Sequence, residues 1–195
     1  MRGSRYDSIK PLLEIQEGIR SVTWTESFPT PTWKDFSTFR HNYRLHENLA
    51  VQQGRHIGVE VSLEPWLTVP DPIQIGVAVI ARSTRYRNSQ FPWRKILEAY
   101  PERVFVGLKQ EHQDFQNNFG EITYRETKDL LELARVIAGA SIVVSNQTCC
   151  WWISAGLGIK TLQETYCLDQ NSVIDRPNLF YSRTVQEINA LLDNL

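Results

Sequence analysis

Hydrophobic and polar positions are patterned differently on the two sides of residue 70. Before it the pattern is broken. A helix is expected over 8–19, with Ser8 as N-cap and Pro11 in the first turn. Val22, Thr23 and Trp24 suit a short strand. Pro29 and Pro31 then interrupt regular structure, and a second helix is expected over 38–53, stopped by Gly54. Pro65, Pro70 and Pro72 punctuate a connector over 64–72.

After residue 70, strand and helix patterns alternate. The near-continuous β-branched run 73–81 is what a strand buried on both faces carries. A helix over 92–100, a strand over 104–108, a short helix over 110–118 and a short strand within 120–124 follow. Over 127–138, Leu130, Leu131, Ala134 and Ile137 fall on one helical face, with Thr127 as N-cap and Gly139 as stop. Next come a strand over 141–145, a helix over 147–155 ended by Gly156 and Gly158, a strand over 160–164 and a closing helix over 183–192. This alternation predicts an α/β fold: a Rossmann-like parallel sheet with helices on both faces over 71–195. A small irregular α+β segment, 1–70, precedes it. Residues 1–4 read as an expression leader and carry no weight in the fold.

Composition narrows the function classes. The chain has 195 residues and a formal net charge of -1, so it lacks the basic excess that wholesale binding to nucleic acid or anionic membranes needs. No run of about 18 apolar residues marks a membrane span, and the N-terminal stretch is too short and broken for a signal peptide. Three cysteines, Cys149, Cys150 and Cys167, are an odd count without metal-ligand spacing, which fits a reducing cytoplasm. Arginine outnumbers lysine 15 to 6, a bias that permits anion recognition but equally reflects a plain surface preference.

In an open parallel sheet, ligands bind outside the carboxyl ends of the strands, where strand order reverses. Three loops are selected by that rule. The first, 82–89, carries Ser83, Arg85 and Arg87 among its arginines and hydroxyls; it reads as a diphosphate cradle or as a solvated turn. The second contains Asn146, Gln147 and Thr148 at a helix start, where amides and dipole attract anions or Asn146 simply caps. The third ends at Glu164, a carboxylate able to accept ribose hydroxyls, or else a surface glutamate.

Several other chemistries are disfavoured. There is no G-x-G-x-x-G after the first strand and no G-x-x-x-x-G-K-[ST]. His41, His46, His56 and His112 lack metal-ligand spacing. Cys149-Cys150 lacks the intervening pair of a redox motif and reads as structural. Trp151-Trp152 reads as helix-to-sheet packing, with stacking on a nucleobase the other option.

Over residues 104–164 the ordered motifs resemble the C-terminal, donor-binding half of GT-B glycosyltransferases of the heptosyltransferase-like group, glycosyltransferase family 9. The resemblance is carried by Val104-Phe105-Val106-Gly107 with Glu111 and Phe115, Ile122-Thr123-Tyr124, 129–134, and 137–140. Its main stretch is Val144-Ser145-Asn146-Gln147-Thr148 followed by 155–158 and Gln163-Glu164. It implies that Asn146, Gln147 and Thr148 approach a donor diphosphate, that Ser83 and Arg85 lie near the phosphates, and that Glu164 lies near the ribose. A weaker resemblance over 10–16, 35–40 and 65–67 implies that 1–70 is the remnant of an acceptor-side N-terminal domain and its connector. The opening strand and glycine-rich turn of that domain are not visible, so no catalytic residue is carried over.

The expected function is therefore nucleotide-sugar binding for glycosyl transfer to an acceptor hydroxyl on a saccharide or protein. Arg85, Arg87 and the helix amides would hold the diphosphate charge without a metal or a separate cofactor. Two alternatives stand beside it. One is a non-catalytic nucleotide-sugar-binding module. The other is an interaction protein using Trp24, Trp33 and Trp66. A homo-oligomer, or a partner supplying the missing domain, would complete the first reading.

Overall fold

A computed structural model describes residues 2–26, 41, 43–166, 168, 170–182 and 185–192. The expected positions 28–32, 35–40, Trp33, Cys167 and the start of the closing helix at 183 lie outside the described residues. The described residues form six strands: β1 (Ala78–Ala81), β2 (Arg103–Phe105), β3 (Thr123–Tyr124), β4 (Ile142–Asn146), β5 (Thr161–Glu164) and β6 (Leu179–Ser182). All five neighbouring pairs are parallel, in the order β3-β2-β1-β4-β5-β6. This is the dinucleotide-fold order, with its reversal between β1 and β4.

Strand alternation sorts the core into two layers. Val79, Ala81 and Val143 point to one face, packed by Leu12 of α1 (Arg2–Glu14), by Leu133, Ala134 and Ile137 of α5 (Leu130–Ala138), and by Cys150 and Ile153 of α6 (Cys149–Leu157). Ile80, Phe105, Val144 and Leu162 point to the other. There they meet Trp93 and Ile96 of α3 (Trp93–Ala99) and Phe115 of α4 (Lys109–Phe119). The expected α/β sheet with helices on both faces is therefore present. The closing helix, α7, runs Val185–Leu192.

Several elements differ from the sequence expectation, most of them because of packing. α1 starts six residues early and runs through Pro11. An interior proline costs roughly 3 kcal/mol, and burial of Leu12 against α5 offsets much of that. The strand expected at 22–24 does not form; the Val22 carbonyl accepts from the Tyr6 hydroxyl at 2.7 Å. The second helix, α2, is Leu49–Ile57, capped by the Asn48 side chain and ended by Gly58 in the left-handed region. Gly54 is not its stop. It lies mid-helix because a Cβ there would come within 2.2 Å of the Val61 side chain.

β1 is shorter than 73–81. Its first half leaves the sheet and hydrogen-bonds the end of α5, Ile73 N to Arg135 O at 3.0 Å. Asp129, not Thr127, caps α5 through the Glu132 amide. β6 was not expected, since its four residues carry no alternation of their own. Residues before 71 pack directly on the sheet domain: Trp66 and Leu67 amides both donate to Gly156 O, and Leu49 N donates to Asn171 O.

Gly139 abuts the displaced segment, and a Cβ there would lie 2.0 Å from Ile73 O. Gly139→Ala is expected to destabilise the fold by about 2 kcal/mol through overpacking, read as a lower urea midpoint with unchanged slope.

Candidate functional site

The loops that follow β1 and β4 meet at the strand-order reversal. There a crevice of about 380 Å³ is lined by Ser83, Arg85, Gly107, Glu111, Thr148 and Cys149, among others. Two helix starts face it: α5, opening at Leu130 after Asp129, and α6, whose cap residue Thr148 makes no side-chain cap bond. Such a start offers amide donors and the positive end of a dipole. The Thr148 hydroxyl pairs with that of Ser145 at 3.0 Å.

The sequence-predicted residues divide into two groups by strand alternation. Ser83, Arg85 and Thr148 line the crevice, on the α5–α6 face. Asn146, Glu164 and Arg87 do not. Asn146 and Glu164 follow Val144 and Leu162 by two residues, so they point to the α3–α4 face. They are register partners across β4 and β5.

Glu164 is fully buried. One carboxylate oxygen accepts from Arg82 Nη2 and the Asn88 amide, both at 2.8 Å. The other accepts from Arg82 Nε at 2.7 Å and Trp93 Nε1 at 3.2 Å. Four donors fill the lone-pair directions of a carboxylate. Glu164 therefore holds both ends of the loop 82–88 and offers nothing to a ribose in this structure. Arg82, in turn, sits over the rings of Trp93 and Phe119.

Asn146 holds the middle of the same loop. Its Oδ1 accepts from Ser83 N at 3.0 Å, and its Nδ2 donates to Arg85 O at 2.6 Å. Arg87 donates to Ser83 O and pairs with Asp114 of α4. Gln147 accepts from the Tyr166 amide at 3.2 Å. Held this way, the loop carries Tyr86 at φ +55°, a left-handed conformation that costs a β-carbon residue about 1–3 kcal/mol. The exposed Tyr86 ring meets Tyr166 edge-on, centroids 5.8 Å apart, and the Arg85 guanidinium lies 5.6 Å from its centre.

Sequence reasoning missed the loop after β2. Gly107 has φ +127°, and a Cβ there would come within 3.0 Å of a Glu111 carboxylate oxygen. That oxygen accepts from Leu108 N at 3.1 Å, so Glu111 is held at the crevice wall. The carboxyl-end rule that selected the other loops applies equally here, and Gly107 was the available signal. Cys149 was read as buried and structural. It is exposed at the first position of α6. Its neighbour's thiol hydrogen-bonds it and holds its pKa below the ordinary thiol value, whereas Cys150 is fully buried and pushed well above.

Among the described residues, no group of three or more His, Cys, Asp or Glu side chains is placed to hold a metal ion, and no helix is long and apolar enough to cross a membrane. Trp24 is exposed, and Trp66 packs against Trp152 with centroids 6.3 Å apart.

No family model and no curated protein matches the sequence. Two solved structures match in part. One is Escherichia coli heptosyltransferase WaaC with ADP-2-deoxy-2-fluoro heptose: 16% identity, 74% of this chain against 53% of that one, TM-score 0.46. The other is a glycosyl transferase family 9 protein of Veillonella parvula: 11% identity, 78% of this chain against 55% of that one, TM-score 0.44. Both names fall in the group that residues 104–164 resemble. The chain spans about half the length of each.

Removing one member of the buried pair leaves the other uncompensated. Glu164→Ala is expected to cost about 3–5 kcal/mol in urea unfolding. The double variant Arg82→Met/Glu164→Leu should recover the part of that loss due to the stranded guanidinium and keep the part due to the Asn88 and Trp93 N–H groups, which still lack an acceptor.

Proposed function

We propose that residues 71–195 bind a nucleotide-sugar and serve as the donor half of a glycosyltransferase-like protein. The observation that supports this is the crevice at the β1/β4 reversal, where Ser83, Arg85, Thr148 and the start of α6 converge. An anion seated there is met by the guanidinium, two hydroxyls and the opening amides of α6. The sequence resemblance supplies the ligand class.

In the transfer, an acceptor hydroxyl attacks the anomeric carbon as the bond to the diphosphate oxygen breaks, and the hydroxyl proton passes to solvent. The electron pair leaves with the diphosphate, and the charge that develops on it falls on Arg85 and the α6 start. Arg87 and Asn146 contribute by shaping the loop. Glu111, whose carboxylate faces the crevice, is the better placed acceptor for ribose hydroxyls. Residues 1–70 are read as the remnant of the acceptor side, toward a saccharide or protein hydroxyl.

A second reading is binding without transfer. Among the described residues before 71 there are two helices, α1 and α2, and no strand. Turnover of a nucleotide-sugar by this chain alone would remove that reading.

Calorimetry with pyrophosphate and with ADP-, GDP-, UDP- and CDP-sugars tests the proposal. Binding that Arg85→Ala weakens about tenfold is expected, the loss of one charge-assisted contact. No binding across the whole panel would overturn it. An independent measurement uses the exposed thiol. Cys149 should react with maleimide at a lower pH than an ordinary thiol, Cys150 should stay unlabelled while folded, and bound pyrophosphate should slow the Cys149 reaction.

A further inference from the structure

We infer that Tyr86 and Tyr166 form an aromatic platform for the sugar ring of a nucleotide-sugar, beside the mouth of the crevice and joined to it through Arg85. The inference rests on the reading of the crevice as a diphosphate site. Its starting observation is where the loop's anchors lead. Glu164 fixes the loop at Arg82 and Asn88, Asn146 fixes it at Ser83 and Arg85, and Gln147 fixes the Tyr166 backbone. The anchored positions thus bracket Tyr86 in the loop after β1 and hold the backbone of Tyr166 after β5.

Tyr86 sits in the left-handed region that glycine, asparagine and aspartate tolerate and bulky residues avoid. Its ring is not spent on the core, being 45% exposed. A strained, exposed aromatic residue held by a saturated buried network is an arrangement that folding alone does not require. The ring lies edge-on to Tyr166, and the two together span the loops after β1 and β5.

Arg85 joins this pair to the crevice. Its guanidinium lines the cavity and also lies over the Tyr86 ring. A diphosphate bound by Arg85 and the α6 start has a ring on either side of it. Toward β2 the wall carries the Glu111 carboxylate, which suits ribose hydroxyls. On the opposite side, past Arg85 and just outside the crevice lining, lie the two tyrosines, whose rings suit the C–H face of a pyranose reaching out of the crevice. The ligand's polarity follows: nucleoside toward Glu111, sugar toward Tyr86.

The test is calorimetry on the full chain with ADP, GDP, UDP and CDP and with the corresponding hexose conjugates, in wild type, Tyr86→Asn and Tyr166→Leu. The wild type should bind one conjugate more tightly than its bare nucleotide. Each variant should weaken that conjugate about tenfold and leave the nucleotide within about twofold. Tyr86→Asn should also raise Tm, because asparagine relieves the left-handed strain. Equal binding of the conjugate by all three proteins would overturn the platform while leaving the diphosphate reading intact. Equal loss of nucleotide and conjugate, with a lower Tm, would mark a merely structural role and overturn it too. Failure of pyrophosphate and every nucleotide to bind the wild type would end both readings together.

Discussion

The arrangement of the crevice depends on one buried ion pair that reaches across a strand. Arg82 leaves β1 in the row that also holds Asn146 and Glu164. Two strand spacings, roughly 10 Å, separate it from β5, and the paired side chains close that gap over the end of β4. A charge pair this deep is weak evidence for stability, since desolvation consumes much of its attraction. What it does provide is position. With the Asn88 amide and the Trp93 indole on the same carboxylate, both ends of the loop are fixed by one side chain.

That constraint explains how the remaining polar residues are used. Asn146 is consumed by Ser83 and Arg85 backbone groups, and Arg87 by Ser83 and Asp114. None of these groups faces the crevice, yet the conformation of Ser83 and Arg85 follows from them. The α5–α6 face keeps Ser83, Arg85 and Thr148 for the crevice, and the α3–α4 face keeps the Arg82–Glu164 pair, Asn146 and Arg87 for holding the loop. Division of labour between two faces of one sheet edge is the organising feature of the site.

Much of this was legible in the residues. The buried runs around Val79 and Val143, the helix carrying Leu133 and Ile137, and the acidic end of β5 give the layers and their order. The loops at 82–89 and 146–148 followed from the carboxyl-end rule. Facing was legible as well: period-2 alternation puts Glu164 on the face of Leu162, away from the crevice. Other differences were tertiary. Gly54 reads as a helix stop until Val61 occupies the space beside it. Residues 73–77 read as strand until the end of α5 takes their amides. Pro11 reads as a first-turn residue until Leu12 finds the core. In each case packing against another segment outweighed a local preference.

Anchoring a loop from behind has an evolutionary consequence. The contacts that set its path lie on one face of the sheet, and the side chains at 84–86 lie outside them. Substitutions there can change which ring or anion is preferred without disturbing the buried network, so ligand preference is free to drift at little cost in stability. The reverse does not hold. A change at Arg82, Asn146 or Glu164 alters the path of the whole loop at once. Within such a lineage, the residues that vary with substrate and the residues that never vary would be neighbours along the chain, separated only by the side of the sheet they face.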